Sequence, residues 1–310
     1  MRGEGSNDVE LPYLVTFSKA AELSSFTGAA KAMRLTQAAV SQRIQSLEQM
    51  LNTPLFKRLP GRLLLTEAGQ QLYDCAQRIF ELHRQARSEI SGREAPLSGD
   101  LFIAASSVPG EHFLPALLPA FAQKHPHLRV RAAVSDSMTV IAQVERGGAS
   151  IGLVGRKTDH PHLRFRHLTS DRMVLVSPKG HALGKRRTVT LSQVTAFPLV
   201  IREAGSGLRH CFERALERAG RSLADCRVAL ELGSNEAIKQ AVQRGAGLAV
   251  LSTLAVETEI KAGRLKAIEV SDLECDRDIF VVQDQRRVVP LPARLFLTFL
   301  ESNPLVDFRP

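Results

Sequence analysis

Ser25-Phe26-Thr27-Gly28-Ala29-Ala30-Lys31-Ala32-Met33-Arg34-Leu35-Thr36-Gln37-Ala38-Ala39-Val40-Ser41-Gln42-Arg43-Ile44-Gln45-Ser46-Leu47-Glu48 is the stretch on which the reading of this 310-residue chain turns. It predicts two short helices with a tight connection. Ser25 or Thr27 can cap the first, and Ala29, Ala30 and Met33 give it a small-residue packing surface. Thr36 can cap the second, over 37–50. There Val40, Ile44, Leu47 and Leu51 step by four, three and four, which turns one face toward a core. A preceding helix in 9–23 shows a one-sided apolar stripe from Leu11 to Ala21.

The opposite face of the second helix carries Gln37, Ala38, Ser41, Gln42 and Gln45, with Arg43 beside them. Short hydroxyls and amides at the start of a helix suit a surface that reads base edges, since Gln can bond adenine bidentately in the major groove. The alternative is an ordinary solvated face, which more often shows Glu and Lys. The next segment shifts the balance. Leu55 to Thr66 gives two short extended runs around Pro60-Gly61, a hairpin whose arms carry Lys57, Arg58 and Arg62. Between Lys19 and Thr66 seven Lys or Arg face two Glu, a net excess of five. A helix-turn-helix followed by a basic hairpin is a winged module for double-stranded DNA, its helix in the major groove and its arginines on phosphates or the minor groove.

From Glu67 to Ser91 one long helix runs without an internal proline. Leu72, Ala76, Ile79, His83, Ala86 and Ile90 step by four and three in turn, a heptad seam too narrow to bury alone, so pairing with a second copy is expected; packing on its own chain is the alternative. Residues 93–100 read as a linker.

These residues together resemble the LysR-type transcriptional regulators. The run from Ser25 to Glu48 looks like that family's helix-turn-helix signature. Leu55-Phe56-x-Arg58 and Leu65-Thr66-x-Ala68-Gly69 look like its wing and the entry to its linker helix. The resemblance implies that Gln37, Ala38, Ser41 and Gln42 lie in or against the groove; Thr36, at the helix start, is expected to contact DNA with them, and Arg43 joins them on its charge alone. The chain departs from the family where Ala38 stands for a common Pro, Gln42-Arg43 for Arg-Gln, and Asn52 for Gly. The first two fall on the reading face, so an operator sequence does not carry over.

Beyond Leu101, short β-branched runs alternate with amphipathic helices, the pattern of an α/β domain with parallel sheets. The organisation expected is a winged helix-turn-helix (9–66, its helix-turn-helix about 25–44), a linker helix (67–92), a linker (93–100) and an effector domain (101–303). The effector domain would be two-lobed and periplasmic-binding-protein-like, with lobe 1 about 101–167 and 275–303 and lobe 2 about 168–274. Ligands in such folds sit beyond strand ends. Ser106-Ser107 and Ser137 each follow a strand and open a helix. Arg202, Ser206 and Arg209 surround a third strand end, where hydroxyls, free N–H groups and guanidinium groups would take a small anion. Residues 96–310 carry a net charge of +7, which would favour an anionic effector.

Composition is consistent with this reading. Hydrophobic residues at 44% and charged at 24% describe a globular chain, and the net charge of +9 suggests an anionic partner. The polar N-terminus leads into no long apolar segment, and no stretch nears ~20 apolar residues, so neither a secretory leader nor a membrane span is expected and the location expected is cytoplasmic. Neither a nucleophile elbow nor a P-loop occurs, and Gly245-Ala246-Gly247 lacks the third glycine of a dinucleotide fingerprint, so no enzyme is expected. His125-Pro126-His127 and His160-Pro161-His162 read as proline turns, and no metal or cofactor is expected. Cys211 and Cys226 flank a helix; buried structural cysteine is the expectation, and a redox pair, as in peroxide-sensing members of the family, the alternative.

The expectation is therefore a sequence-specific regulator acting as a homodimer or, as the family does, a homotetramer, with RNA polymerase as a further partner. The competing readings are an intracellular solute-binding protein or enzyme with a basic N-terminal appendage, and an architectural DNA binder without sequence preference.

Overall fold

The computed structural model describes residues 9–59, 62–91 and 99–303. Its backbone forms two compact units, one built on the N-terminal residues through Gly99 with His127–Arg129 and Asp284–Leu295, the other on Asp100–Pro126, Val130–Gln283 and the residues from Phe296.

The N-terminal unit opens with α1 (Leu11–Leu23), α2 (Phe26–Met33) and α3 (Gln37–Met50). Ser25 caps α2 by accepting from the Gly28 N–H at 3.0 Å, and Thr36 caps α3 by accepting from the Ala39 N–H at 3.1 Å. Each satisfies a donor the helix leaves open, worth ~1 kcal/mol. The helices end on Ser24 and Arg34 in left-handed conformation, with φ of 47° and 56°. Asn52 does the same after α3 at φ 46°, which explains why a residue tolerant of that region stands where relatives of the signature favour Gly. Phe17, Ala20, Ala29, Val40, Ile44, Leu47, Leu55 and Tyr73 form the core. The Phe17 and Phe26 rings pack on Phe56 at 5.4 and 5.3 Å. Strands β1 (Phe56–Leu59) and β2 (Arg62–Leu65) pair antiparallel as the expected wing, and α4 (Glu67–Ser91) follows. The Pro60-Gly61 turn and most of the 93–100 linker lie outside the described residues, as do the side chains of Arg58 and Arg62.

The second unit is two-lobed. Lobe 1 holds a five-stranded sheet of β3 (Gly99–Ser106), β4 (Leu128–Ser135), β5 (Ile151–Val154), β6 (Leu163–Asp171) and, returning from the far end, β13 (Arg277–Asp284), in the order β4-β3-β5-β13-β6. Its helices include α5 (Leu114–Lys124), entered through a π-turn at Pro109–Phe113, and α6 (Ser137–Arg146). Phe296 of α11 (Leu291–Ser302) stacks edge-on to Phe121 of α5 at 5.2 Å. Lobe 2 holds β7 (Met173–Pro178), β8 (Thr188–Val189), β11 (Ala249–Ser252) and β12 (Leu265–Val270) in the order β11-β7-β12-β8, and a pair, β9 (Leu199–Arg202) with β10 (Val228–Leu232). Around them lie α7 (Leu191–Thr195), α8 (Gly207–Arg218), α9 (Asn235–Gln243) and α10 (Thr253–Lys261). The chain passes from lobe 1 to lobe 2 at Arg172 and back between Val270 and Arg277.

The expectation of parallel sheets needs correcting. β3 with β5 and β9 with β10 are parallel, but β13 runs antiparallel to β5, and β11 and β12 run antiparallel to β7. The reversal follows from chain crossing: a strand arriving from the other lobe enters its sheet without a helical crossover, so the handedness rule that enforces parallel pairing does not apply to it. β6 is an edge strand whose Arg164, Arg166 and His167 interrupt the apolar pattern.

Candidate functional site

Two sites follow from this framework. The first is the outer face of α3. Burial of Val40, Ile44 and Leu47 fixes the rotation of the helix, which leaves Thr36, Gln37, Ala38, Gln42 and Gln45 exposed and Ser41 half-buried. The Gln37 side-chain oxygen accepts from the Thr27 hydroxyl at 3.1 Å, which steadies the amide at the helix start. Arg43 behaves differently from the expectation for a contact residue. It is half-buried and donates to the Thr16 hydroxyl of α1 at 3.0 Å, so its charge braces two helices rather than standing free.

The wing is anchored from behind. Glu48 accepts from the Leu55 and Phe56 N–H groups at 2.7 and 3.2 Å, which ties the end of α3 to the start of β1. Thr66 donates to the Pro54 carbonyl at 2.7 Å and accepts from the Gly69 N–H at 2.9 Å, capping α4. Gly69 is a close-approach glycine: a methyl group there would collide with the Leu55 carbonyl. On α4, Ala76 is buried and Leu72 half-buried, whereas Ile79, Leu82, His83, Ala86 and Ile90 are exposed; Ile90 is 87% exposed. The distal seam is thus unoccupied by its own chain's described residues.

The second site is the floor between the two lobes. Strand β9 ends on Arg202, whose buried guanidinium reaches in four directions. It donates to both carboxylate oxygens of Glu203 at 2.7 and 2.6 Å, to the Asn235 side-chain oxygen at 2.7 Å, and across the lobes to the Ser107 hydroxyl at 2.9 Å; the Gly233 carbonyl lies at 3.4 Å. Ser206 caps α8 through the Leu208 N–H, and the Met138 N–H of lobe 1 donates to the Gly205 carbonyl of lobe 2 at 3.3 Å. Gly207 has no room for a side chain: a methyl would stand 2.7 Å from the Ser137 hydroxyl and 2.8 Å from the Gly155 backbone. Ser107, Ser137, Arg202 and Ser206 are therefore gathered in one place, with Ser106 buried beside Ser107.

Arg209 meets them at the backbone, donating to the Arg202 carbonyl at 3.3 Å. It is held by Glu213 at 2.8 Å and Glu231 at 2.7 Å, and these partners, Glu213 foremost, raise its pKa further. Its charge is spent within lobe 2. Two buried groups on the floor, by contrast, are open: the Ser137 hydroxyl and the side-chain amide nitrogen of Asn235 have no hydrogen-bond partner. Asn235 was not anticipated. Its segment, Gly233-Ser234-Asn235 after a strand and opening a helix, repeats the pattern of Gly205-Ser206-Gly207 and would have exposed it. Asp136 caps α6 beside Ser137. Partial burial alone would raise its pKa, but hydrogen bonds from the Thr139 hydroxyl and the Thr139 and Met138 N–H groups win and hold the carboxyl below its ordinary range.

The family model for the bacterial regulatory helix-turn-helix proteins of the lysR family matches residues 11–70, and that for the LysR substrate binding domain matches residues 94–304. The chain belongs to the LysR family. It is 32% identical over 286 residues to the HTH-type transcriptional regulator CbbR of Xanthobacter flavus, covering 92% of this chain and 85% of that one. It is 28% identical to the activator CmpR of Synechocystis over 93% of each. The regulatory domain of Synechocystis CcmR in complex with 2-PG superposes with a TM-score of 0.60 at 25% identity, covering 66% of this chain and 96% of that one. Corynebacterium glutamicum OxyR shares the fold over 96% of this chain and 91% of that one, at a TM-score of 0.59 and 20% identity.

This LysR-type chain is a transcriptional regulator and not an enzyme. Among its described residues no group of three or more His, Cys, Asp and Glu side chains is placed to hold a metal, and no helix is long and apolar enough to cross a membrane. Cys211 does not pair with Cys226; it lies beside Cys275, while Cys226 faces the Ser222 carbonyl.

Proposed function

We propose that this LysR regulator reads a specific operator through Gln37, Ala38, Ser41 and Gln42, dimerises along the distal half of α4, and is switched by a small anionic effector on the inter-lobe floor. The observation that carries the DNA reading is the rotation of α3. Three aliphatic residues are sealed inside, and a lightly charged, amide-bearing face is left outward at the capped end of the helix. A non-specific binder would gain most from lysines and arginines there, because phosphate contacts supply sequence-independent affinity.

The effector reading rests on what the floor leaves open. Arg202 has partners in the protein for its donors, so it organises the floor rather than waiting for a ligand. The Ser137 hydroxyl and the Asn235 amide are buried without partners, a costly condition that an acceptor-rich ligand relieves. A carboxylate or phosphate is such a ligand, and the 2-PG found in the CcmR domain is consistent with that class. Lobe closure around it would bias the assembly between two states.

Footprinting the full-length protein on DNA upstream of its own gene tests the regulator reading: a protected, dyad-related site is expected, and uniform coverage would favour an architectural binder instead. A melting-temperature screen of small carboxylates and phosphates should single out the effector. Sedimentation of Ile79→Glu and Ile90→Glu variants should show a lighter species if α4 carries the dimer.

A further inference from the structure

Cys211, on the second turn of α8, and Cys275, in the segment returning from β12 to β13, bring their sulfurs to 3.6 Å although 64 residues separate them in sequence. Neither thiol belongs to the DNA face or the inter-lobe floor. Cys275 is buried and Cys211 half-buried. Cys275 stands on the wall of a cavity of about 430 Å³ whose lining includes Arg172, Arg218, Leu273 and Asp276; Cys211 is not part of that wall, and its half-buried side chain keeps an exposure of its own.

The two sulfurs are chemically unequal. The hydrogen bond between them favours the Cys211 thiolate and, with Arg277 and Arg218 nearby, holds that thiol below its ordinary range against the effect of burial. The same hydrogen bond, together with burial, pushes Cys275 up. A low-pKa attacking thiol beside a protonated partner is the arrangement that turns a thiol pair into a disulfide under oxidation.

We propose that Cys211 and Cys275 form a reversible thiol–disulfide site for a small hydroperoxide oxidant. The Cys211 thiolate attacks the terminal peroxide oxygen; the O–O bond breaks, an S–O bond forms, and the leaving oxygen takes a proton to depart as water or an alcohol. The Cys275 sulfur then attacks the sulfenic sulfur, an S–S bond replaces the S–O bond, and the hydroxyl leaves with the Cys275 proton as water. Two thiols are oxidised to one disulfide and one peroxide is reduced. The new bond would fasten α8 to the chain two residues before Arg277, where the protein passes back between lobes. It therefore stiffens the crossing on which lobe movement depends.

The test uses the full-length reduced protein and one equivalent of hydrogen peroxide, with alkylation and peptide mapping. The expected result is an intramolecular link joining the Cys211 and Cys275 peptides, a mass lower by two hydrogen atoms, and loss of two of the four thiols, all reversed by dithiothreitol. In Cys275→Ser, dimedone should trap a sulfenic acid at Cys211. In Cys211→Ser, Cys275 should stay reduced, and melting curves matching the reduced wild type establish that both variants fold. If the wild type forms no such link, or loses its thiols at Cys75 and Cys226 as fast as at this pair, the proposal fails. So does a Cys211→Ser variant in which Cys275 oxidises at the wild-type rate. None of these readouts involves DNA or the effector, so their failure leaves the regulator reading untouched.

Discussion

Asp171 and Arg277 form a buried ion pair, with both the Nε and an Nη of Arg277 2.9 Å from one Asp171 oxygen, at the two places where the chain passes between the lobes. The second Asp171 oxygen accepts from the Ser252 hydroxyl at 2.6 Å, so the carboxylate is partnered on both sides. The guanidinium also lies where a side chain on Gly155 would fall, which explains the glycine at the end of β5. The pair pins both crossings to one point.

Removing one member of a buried ion pair leaves an uncompensated charge, typically at a cost of 3–5 kcal/mol. Asp171→Ala should therefore lower the unfolding free energy of the effector domain by about that much in a urea titration. Replacing both residues, as in Asp171→Ala with Arg277→Met, should cost clearly less than the single change. Additive losses would show that the two side chains do not act as a pair.

On the DNA face, Gln37→Ala should weaken binding to the footprinted site by about 1–3 kcal/mol and leave affinity for random DNA near wild type. Arg62→Ala on the wing should instead weaken binding to every sequence and flatten its dependence on salt. Fluorescence anisotropy at several salt concentrations separates the two. Equal losses for Gln37→Ala on both DNAs would remove it from the readers.

How far the sequence carried this reading depended on whether a residue's role was local. Thr36 as the cap of α3, and the span of α3 itself, were legible because capping and helical period need only neighbours in the chain. Thr16, which holds Arg43, and Glu231, which holds Arg209 beside its i+4 partner Glu213, come from other elements, and a side chain's charge says nothing of what already neutralises it. The Cys275 partner of Cys211, 64 residues away, was hidden for the same reason. Charge-interrupted β6 shows the complementary limit: an edge strand needs hydrogen bonds from a neighbour more than an apolar pattern of its own.

Gly69→Ala tests the junction of wing and linker helix. The added methyl meets the Leu55 carbonyl, a backbone atom that cannot rotate away, while Leu55 also accepts from the Thr66 N–H at 2.9 Å. Overpacking of this kind typically costs 1–3 kcal/mol, and the loss should appear as a lower melting temperature of the N-terminal unit. An unchanged melting temperature would mean that the wing shifts freely against α4.

Asp136 predicts a pH dependence. Its folded pKa lies below the unfolded value, so ionisation favours the folded state. The stabilisation is complete above the unfolded carboxyl's pKa of about 3.9 and fades as pH falls through the lower folded value. Asp136→Asn keeps a capping oxygen without the charge. Wild type should exceed the variant in melting temperature at neutral pH, and the two curves should converge below about pH 4. A gap that persists in acid would assign the difference to shape rather than charge.

Ser137 and Asn235 give the sharpest test of the inter-lobe floor. In an ordinary interior, truncating a polar side chain removes a hydrogen bond and destabilises by ~1 kcal/mol. The Ser137 hydroxyl has no such bond to lose, because it is buried without a partner beside Gly207. Ser137→Ala should therefore leave the ligand-free melting temperature unchanged or raise it, since an unpaired buried group is itself a cost of about 1–3 kcal/mol. Asn235 differs, because its side-chain oxygen holds Arg202 at 2.7 Å while its nitrogen is open. Asn235→Asp keeps the Arg202 contact and replaces the free donor with an acceptor, which opposes an anion. Both variants should lose most of the effector-induced melting shift, Asn235→Asp the more completely. If Ser137→Ala destabilises the free protein and keeps the full shift, the open hydroxyl is structural and the effector binds elsewhere.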